Sequence, residues 1–321
     1  MTAPVLVELV RSGVVESVHH ASLLAVRADG SDALVLGEVD RPVLPRSSNK
    51  PLQAVGLLET GWQPPDELTV ALATASHSGE AAHLAVVRRT LAAAGLDESA
   101  LACPAMLPLS EPATHALLRA GGAASRLTMN CSGKHAAMLA TCVARGWPTS
   151  DYLDPGSEVQ RALTAALERL AGEPVQHVAV DGCGAPQHAL SLRGLARGYA
   201  ALATQDGACA RTAAAMTARP DLVGGTGREV TDLMAGVPGL VAKDGAEGVF
   251  AAALPDGAAV AVKVADGAAR AAVPLLVAGL RALAVEGEVL ERLATTPVLG
   301  GGAPVGVLRP VAALLTPGAA T

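Results

Sequence analysis

Short apolar stretches of strand type gather near the two ends of the chain, and apolar residues at helical spacing fill its middle. Residues 5–10, 22–27 and 33–38 are rich in Val, Leu and Ala and read as strands, the last two joined by a turn at Asp29-Gly30-Ser31. After a break at Pro42 and Pro45, residues 47–60 read as a helix stopped by Gly61, with Pro51 tolerated because it falls in the first turn. Residues 70–75 form a short apolar run that ends in Ser76-His77-Ser78-Gly79. Residues 80–94 have helical spacing and stop at Gly95; residues 132–145 do the same, with Ser132 as candidate cap and Gly146 as stop. An amphipathic helix over 157–170, a strand over 177–180 and helices near 192–204 and 207–218 follow. Residues 240–242, 249–254 and 258–264 read as strands, the last two joined by Pro255-Asp256-Gly257. A long helix over 268–285 and an edge strand over 305–308 complete the pattern. It predicts an α/β (α+β type) fold, with a central antiparallel sheet covered by helices, and residues 1–321 form one domain without a separable linker.

Composition narrows the function. The chain has 321 residues, a formal net charge of −6, one Phe, two Tyr and two Trp. Without a Lys/Arg cluster or aromatic platforms, nucleic acid is not an expected partner. The apolar stretch at 271–280 is about half the ~20 residues a membrane span needs, so no membrane partner is expected. No leader pattern is legible at the N-terminus, and five cysteines at irregular spacing do not form a disulfide framework, so a cytoplasmic protein with reduced thiols is expected.

Ser47-Ser48-Asn49-Lys50 is a Ser-x-x-Lys tetrad at a helix start. Residues i and i+3 share a helical face, so the lysine amine can reach the first hydroxyl and, when neutral, take its proton. The bland alternative is a capping serine followed by a solvated lysine, and the tetrad alone does not exclude it. Its place after a proline break matches acyl-transfer enzymes of the penicillin-binding type. A second lysine, Lys243, sits in Lys243-Asp244-Gly245 after a short strand, a partial match to the Lys-Thr-Gly of those enzymes; no Ser-Asp-Asn is present. Two lysines in one pocket predict surroundings poor in water for Lys50.

Asn130-Cys131-Ser132-Gly133-Lys134-His135 and Asp181-Gly182-Cys183-Gly184 are polar clusters between apolar elements. Two cysteines and a nitrogen, of which His135 is the obvious one, can hold zinc; two buried structural thiols are the competing reading. The glycine clusters at 224–227 and 300–302 lack the context of nucleotide loops and read as turns.

Together these segments resemble the rhizobial-type L-asparaginase family. The likeness rests on Arg46-Ser47-Ser48-Asn49-Lys50-Pro51, Ala75-Ser76-His77-Ser78, the Asn130–His135 block, Asp181-Gly182-Cys183 and Lys243 before Gly245, in an order spanning residues 10–310. The resemblance implies two Ser–Lys pairs, with Ser47 as nucleophile and Lys50 as its base, and Ser76 with Lys243 assisting proton transfer. It implies zinc held by Cys131, Lys134 and Cys183, and a pocket completed by Arg46, Asp181 and His135 around the substrate, L-asparagine. It also implies a fold similar to serine β-lactamases and serine-dependent glutaminases, and a homodimer. The expected reaction is hydrolysis of L-asparagine to L-aspartate and ammonia through an acyl-enzyme. A penicillin-binding or β-lactamase-like hydrolase and a non-catalytic zinc or amino-acid binding protein stay open as alternatives.

Overall fold

The computed structural model describes residues 3–315. The chain forms two compact units that interleave along the sequence. One comprises residues 1–48, 190–204 and 233–321, the other residues 49–189 and 205–232.

The first unit is built on one antiparallel sheet. Its strands are Val5–Arg11 (β1), Val14–Val26 (β2), Asp32–Leu36 (β3), Val241–Gly245 (β4), Val249–Ala253 (β5), Ala259–Val264 (β6), Thr296–Gly300 (β7) and Ala303–Pro310 (β8). They lie in the order β7-β8-β1-β2-β6-β5-β4, with β3 also paired to β2. The expected antiparallel sheet is therefore present, and within it β1 pairs with β8, far apart in sequence. β5 is buried along its whole length and β6 at all but one position, so both faces of these central strands are covered. Their Ala and Val side chains pack against helices Leu192–Thr204 and Ala269–Ala282. Small residues allow close approach: a Cβ built on Gly279 of the second helix would lie 2.4 Å from Val260 Cγ1 in β6.

β2 runs far beyond the strand read at 22–27. Its first half pairs with β1 in the register Val10↔Val15 and Glu8↔Val18, yet Val14, Val15 and Val18 are exposed. Backbone pairing, rather than burial, holds this part of the strand, so it carries no hydrophobic alternation to read.

The second unit is helical. Its core gathers residues from helices Lys50–Glu59, Glu67–Ala73, Ala81–Ala93, Ser132–Arg145, Glu158–Ala171 and Ala208–Ala218. Ser132–Arg145 is the central member, with residues 132–142 all buried. Gly146 closes it in the left-handed conformation (φ +67°), as its sequence predicts. Ser132 is not the cap. Cys131 takes that position, and the Ser132 hydroxyl donates instead to Leu127 O at 2.7 Å. The apolar run at 70–75 belongs to a helix started by Asp66, whose carboxylate accepts the Thr69 N–H. With residues 69–73 all buried, this helix lacks the polar stripe that makes periodicity legible. Helix Glu111–Arg119 lies outside the elements the pattern predicts; Ser110 caps it, and it buries no residue.

Replacing Gly279 by valine overfills the contact with Val260 and is expected to destabilise the protein by about 2 kcal/mol. Urea unfolding reads this directly; an unchanged midpoint would contradict the packing described.

Candidate active site

In the helical unit, seven of the residues singled out from sequence converge. Lys50, the first residue of its helix, is fully buried, in line with the water-poor surroundings expected for it. Its ammonium donates to Ala75 O at 2.6 Å, Ser76 Oγ at 3.0 Å and Cys131 Sγ at 3.1 Å. Three acceptors use its three N–H groups, and the serine it bonds is Ser76, not the expected Ser47. The reason is local: helix Glu67–Ala73 ends just before Ala75, which brings Ala75 O and Ser76 Oγ to the start of helix Lys50–Glu59.

The Ser76–Ser78 segment is fixed by backbone bonds. Ser76 N–H donates to Val223 O, His77 N–H to Asn130 O and Ser78 N–H to Gly224 O. His77 Nδ1 accepts the Gly79 N–H, and Nε2 lies 2.9 Å from Ser132 Oγ. Because the Ser132 proton goes to Leu127 O, Nε2 carries the ring's proton and donates it to Ser132. Burial first, then the His83 and Lys50 charges, push the His77 pKa well down and keep the ring neutral. His77 thereby ties the Ser76 loop to the helix that carries the cysteine–lysine block.

That block forms a sulfur–nitrogen cluster. Lys134 Nζ lies 3.6 Å from Cys183 Sγ, and Cys183 lies 3.5 Å from Asp181 Oδ2. The hydrogen bond from Cys131 pulls the Cys183 pKa down and raises that of Cys131. Cys131 Sγ also lies 3.2 Å from Asn130 Oδ1. Burial works against the Lys134 charge, but Cys183, Cys131 and Asp181 outweigh it and raise its pKa.

Tyr152, which no motif in the sequence marks, is the partner of His135. The tyrosine hydroxyl accepts the Ala102 N–H at 2.9 Å and lies 2.7 Å from His135 Nδ1. The His135 ring is fully buried, and burial pushes its pKa down, partly offset by a hydrogen bond with Cys183. A buried tyrosine needs a partner for its hydroxyl, and that was the signal available in a chain with two tyrosines.

Two thiols and an amine are donor types that zinc accepts. Tetrahedral zinc with sulfur at ~2.3 Å and nitrogen at ~2.1 Å separates those ligands by about 3.6 Å, the spacing of Cys183 and Lys134. Among the described residues no group of three or more His, Cys, Asp and Glu is arranged to hold a metal. All five cysteines are free and buried.

In the sheet unit, Arg46–Asn49 forms a 3-10 turn. Ser48 is committed to structure: its buried hydroxyl donates to Pro45 O at 2.6 Å, and its carbonyl accepts the Tyr199 hydroxyl at 2.7 Å. Ser47 is half-buried beside it. The end of β4 presses on this turn, since a Cβ on Gly245 would lie 2.5 Å from Pro45 O and 3.4 Å from Ser47 N. Lys243, in β4, is fully buried, and its ammonium is bound by the carbonyl of Asp244, at 2.8 Å, and by the Asp244 carboxylate. Arg46 pairs loosely with Glu247 at 3.9 Å.

With this geometry in hand, the chain was compared with known proteins. The model of the L-asparaginase II family matches residues 7–310, and the chain belongs to that family. No curated protein matches it. Among solved structures, a β-lactamase from Mycobacterium bovis matches at 16% identity over 77% of this chain and 87% of that one, with a TM-score of 0.33. Membership makes the protein an asparaginase-type hydrolase acting on a small molecule. No helix among the described residues is long and apolar enough to cross a membrane.

Tyr152→Phe leaves the Ala102 N–H and the buried His135 Nδ1 without their partner and is expected to cost roughly 1–3 kcal/mol in urea unfolding. Parental stability would contradict the role given to this hydroxyl.

Proposed function

We propose that the protein hydrolyses L-asparagine to L-aspartate and ammonia through a serine nucleophile activated by Lys50. One observation carries this reading: in a chain of this family, a fully buried lysine amine is hydrogen-bonded to a serine hydroxyl and has no carboxylate among its three partners. Such an amine is placed to exchange a proton with a hydroxyl rather than to form a salt bridge.

Ser47, three residues ahead of Lys50, attacks the side-chain amide carbon, and neutral Lys50 takes its proton. The tetrahedral intermediate expels ammonia, which leaves with a proton returned by the lysine; Ser76 and Lys243 serve this proton transfer. Water then attacks the aspartyl ester, and the released serine regains its proton. The support for Ser47 over Ser48 is that both the hydroxyl and the carbonyl of Ser48 are already used. Cys131, Lys134 and Cys183 would hold zinc, which when bound supplies a fixed Lewis-acidic charge. Cys131 would then be both a metal donor and a partner of Lys50, so loss of metal is expected to disturb the position of the base.

A second reading has its own observation. The lysine bonds Ser76 directly, and in this reading Ser76 is the nucleophile and Ser47 its helper. Ammonia release from L-asparagine separates the two. The first reading predicts a loss of about 10³-fold or more for Ser47→Ala and Lys50→Ala and a smaller loss for Ser76→Ala; the second reverses the serines. Parental turnover in both Ser47→Ala and Lys50→Ala would remove the assigned pair from the reaction. Metal analysis is a separate check: purified Cys183→Ala is expected to hold far less zinc than the parent, and equal zinc in both would place the metal elsewhere.

A further inference from the structure

We propose that Glu80 is a positioning residue of the reaction, acting through Thr226 to hold the serine that bonds Lys50. This role rests on the asparaginase reading, in which Ser76 and Lys50 exchange a proton. The glycine cluster at 224–227 has no part in the steps above, yet it lies alongside that serine in the helical unit. Val223 O accepts the Ser76 N–H at 3.1 Å, and Gly224 O accepts the Ser78 N–H at 2.9 Å. At the far end of the segment, Arg228 donates from Nη1 to Ser76 O at 3.3 Å. Both backbone polar groups of Ser76 are thus bound by one stretch of chain. Where that stretch sits decides where the Ser76 hydroxyl, 3.0 Å from Lys50 Nζ, sits.

Glu80 fixes that stretch from outside. Its carboxylate reaches a partner 146 positions along the chain: Oε1 accepts the Thr226 N–H at 2.9 Å, and Oε2 accepts the Thr226 hydroxyl at 3.0 Å. Two charge-assisted bonds to one residue define its position as well as attach it. Three residues on, His83 holds the start of the segment. Its Nδ1 accepts the Glu80 N–H at 3.1 Å, so Nε2 carries the proton and donates it to Asp221 O at 2.9 Å.

The residues at this place are fitted to close contact. Gly225 has φ +139°, and a Cβ there would lie 2.1 Å from Ser78 Oγ, so a side chain would push the two backbones apart. Thr231 Oγ1 accepts the Gly225 N–H at 3.2 Å and donates to Gly225 O at 2.8 Å, which limits the freedom the glycine brings. Thr226 is exposed, so water could serve its N–H and hydroxyl. Binding both with a carboxylate costs side-chain entropy that solvation does not. What the contact adds is a fixed backbone beside Ser76.

Steady-state ammonia release from L-asparagine by the full-length protein is the first measurement. Glu80→Ala is expected to lower kcat about tenfold. KM should change less than about twofold, because Ser76 is assigned to proton transfer and not to binding. Glu80→Gln keeps an acceptor for the Thr226 N–H and should restore most of the loss. Thr226→Val, an exposed substitution that removes the hydroxyl bond alone, should lower kcat in the same direction by less; if Glu80→Ala does not fold, this variant carries the test. Hydrogen exchange read by mass spectrometry is the second measurement. In Glu80→Ala the peptide containing Ser76 and Ser78 should exchange faster, and the peptide from helix Glu158–Ala171 should not. Parental kcat in both Glu80→Ala and Thr226→Val, or a rise in KM alone, would overturn the proposal. If the parent itself releases no ammonia, the asparaginase reading falls and exchange decides the clamp: faster exchange around Ser76 supports it, and unchanged exchange overturns it.

Discussion

A fully buried lysine without a carboxylate partner is the constraint around which the helical unit is arranged. Removing an ammonium from water costs several kcal/mol, and the cost must be offset by well-placed acceptors. Lys50 has them in Ala75 O, Ser76 Oγ and Cys131 Sγ. Supplying these acceptors fixes where three elements begin or end: the helix that opens at Lys50, the helix that stops ahead of Ala75, and the long helix whose cap is Cys131. The Ser76–Ser78 segment cannot drift, because its backbone is bonded to Val223, Asn130 and Gly224 and its histidine to Ser132. The result is a serine hydroxyl and a lysine amine held in one place by rigid elements, the arrangement a proton-transfer site needs.

Cys131 joins this lysine to the second half of the cluster. It faces Lys50 on one side and shares a hydrogen bond with Cys183 on the other, while Lys134 and Asp181 both lie against Cys183. A buried lysine, two cysteines and a carboxylate are thereby held in one cluster behind Lys50.

Much of this was legible in the sequence where chemistry or periodicity leaves a mark. Gly61, Gly95 and Gly146 each follow a helix with a positive φ, as their positions after apolar periodic stretches predict. The central strands and the turn at Pro255-Asp256-Gly257 also stand out, because short Ala/Val runs between breakers have few other readings. What was hidden has physical causes. Helix Glu67–Ala73 is too buried to show a polar stripe. The site residues could be listed, but not their pairing: Ser-x-x-Lys spacing suggests that Lys50 answers to Ser47, whereas the lysine's bond is to Ser76, a partner 26 positions along the chain. Tyr152 matters through tertiary contacts that no spacing encodes.

Which serine carries the acyl group is the question on which the catalytic account turns. Acid-quenching the protein during turnover of L-asparagine, followed by peptide mapping by mass spectrometry, tests it most directly. The account predicts an aspartyl ester on the peptide that contains Ser47, absent when Lys50 is replaced by alanine. An ester found on Ser76 instead, or turnover with no ester on any serine, would contradict it.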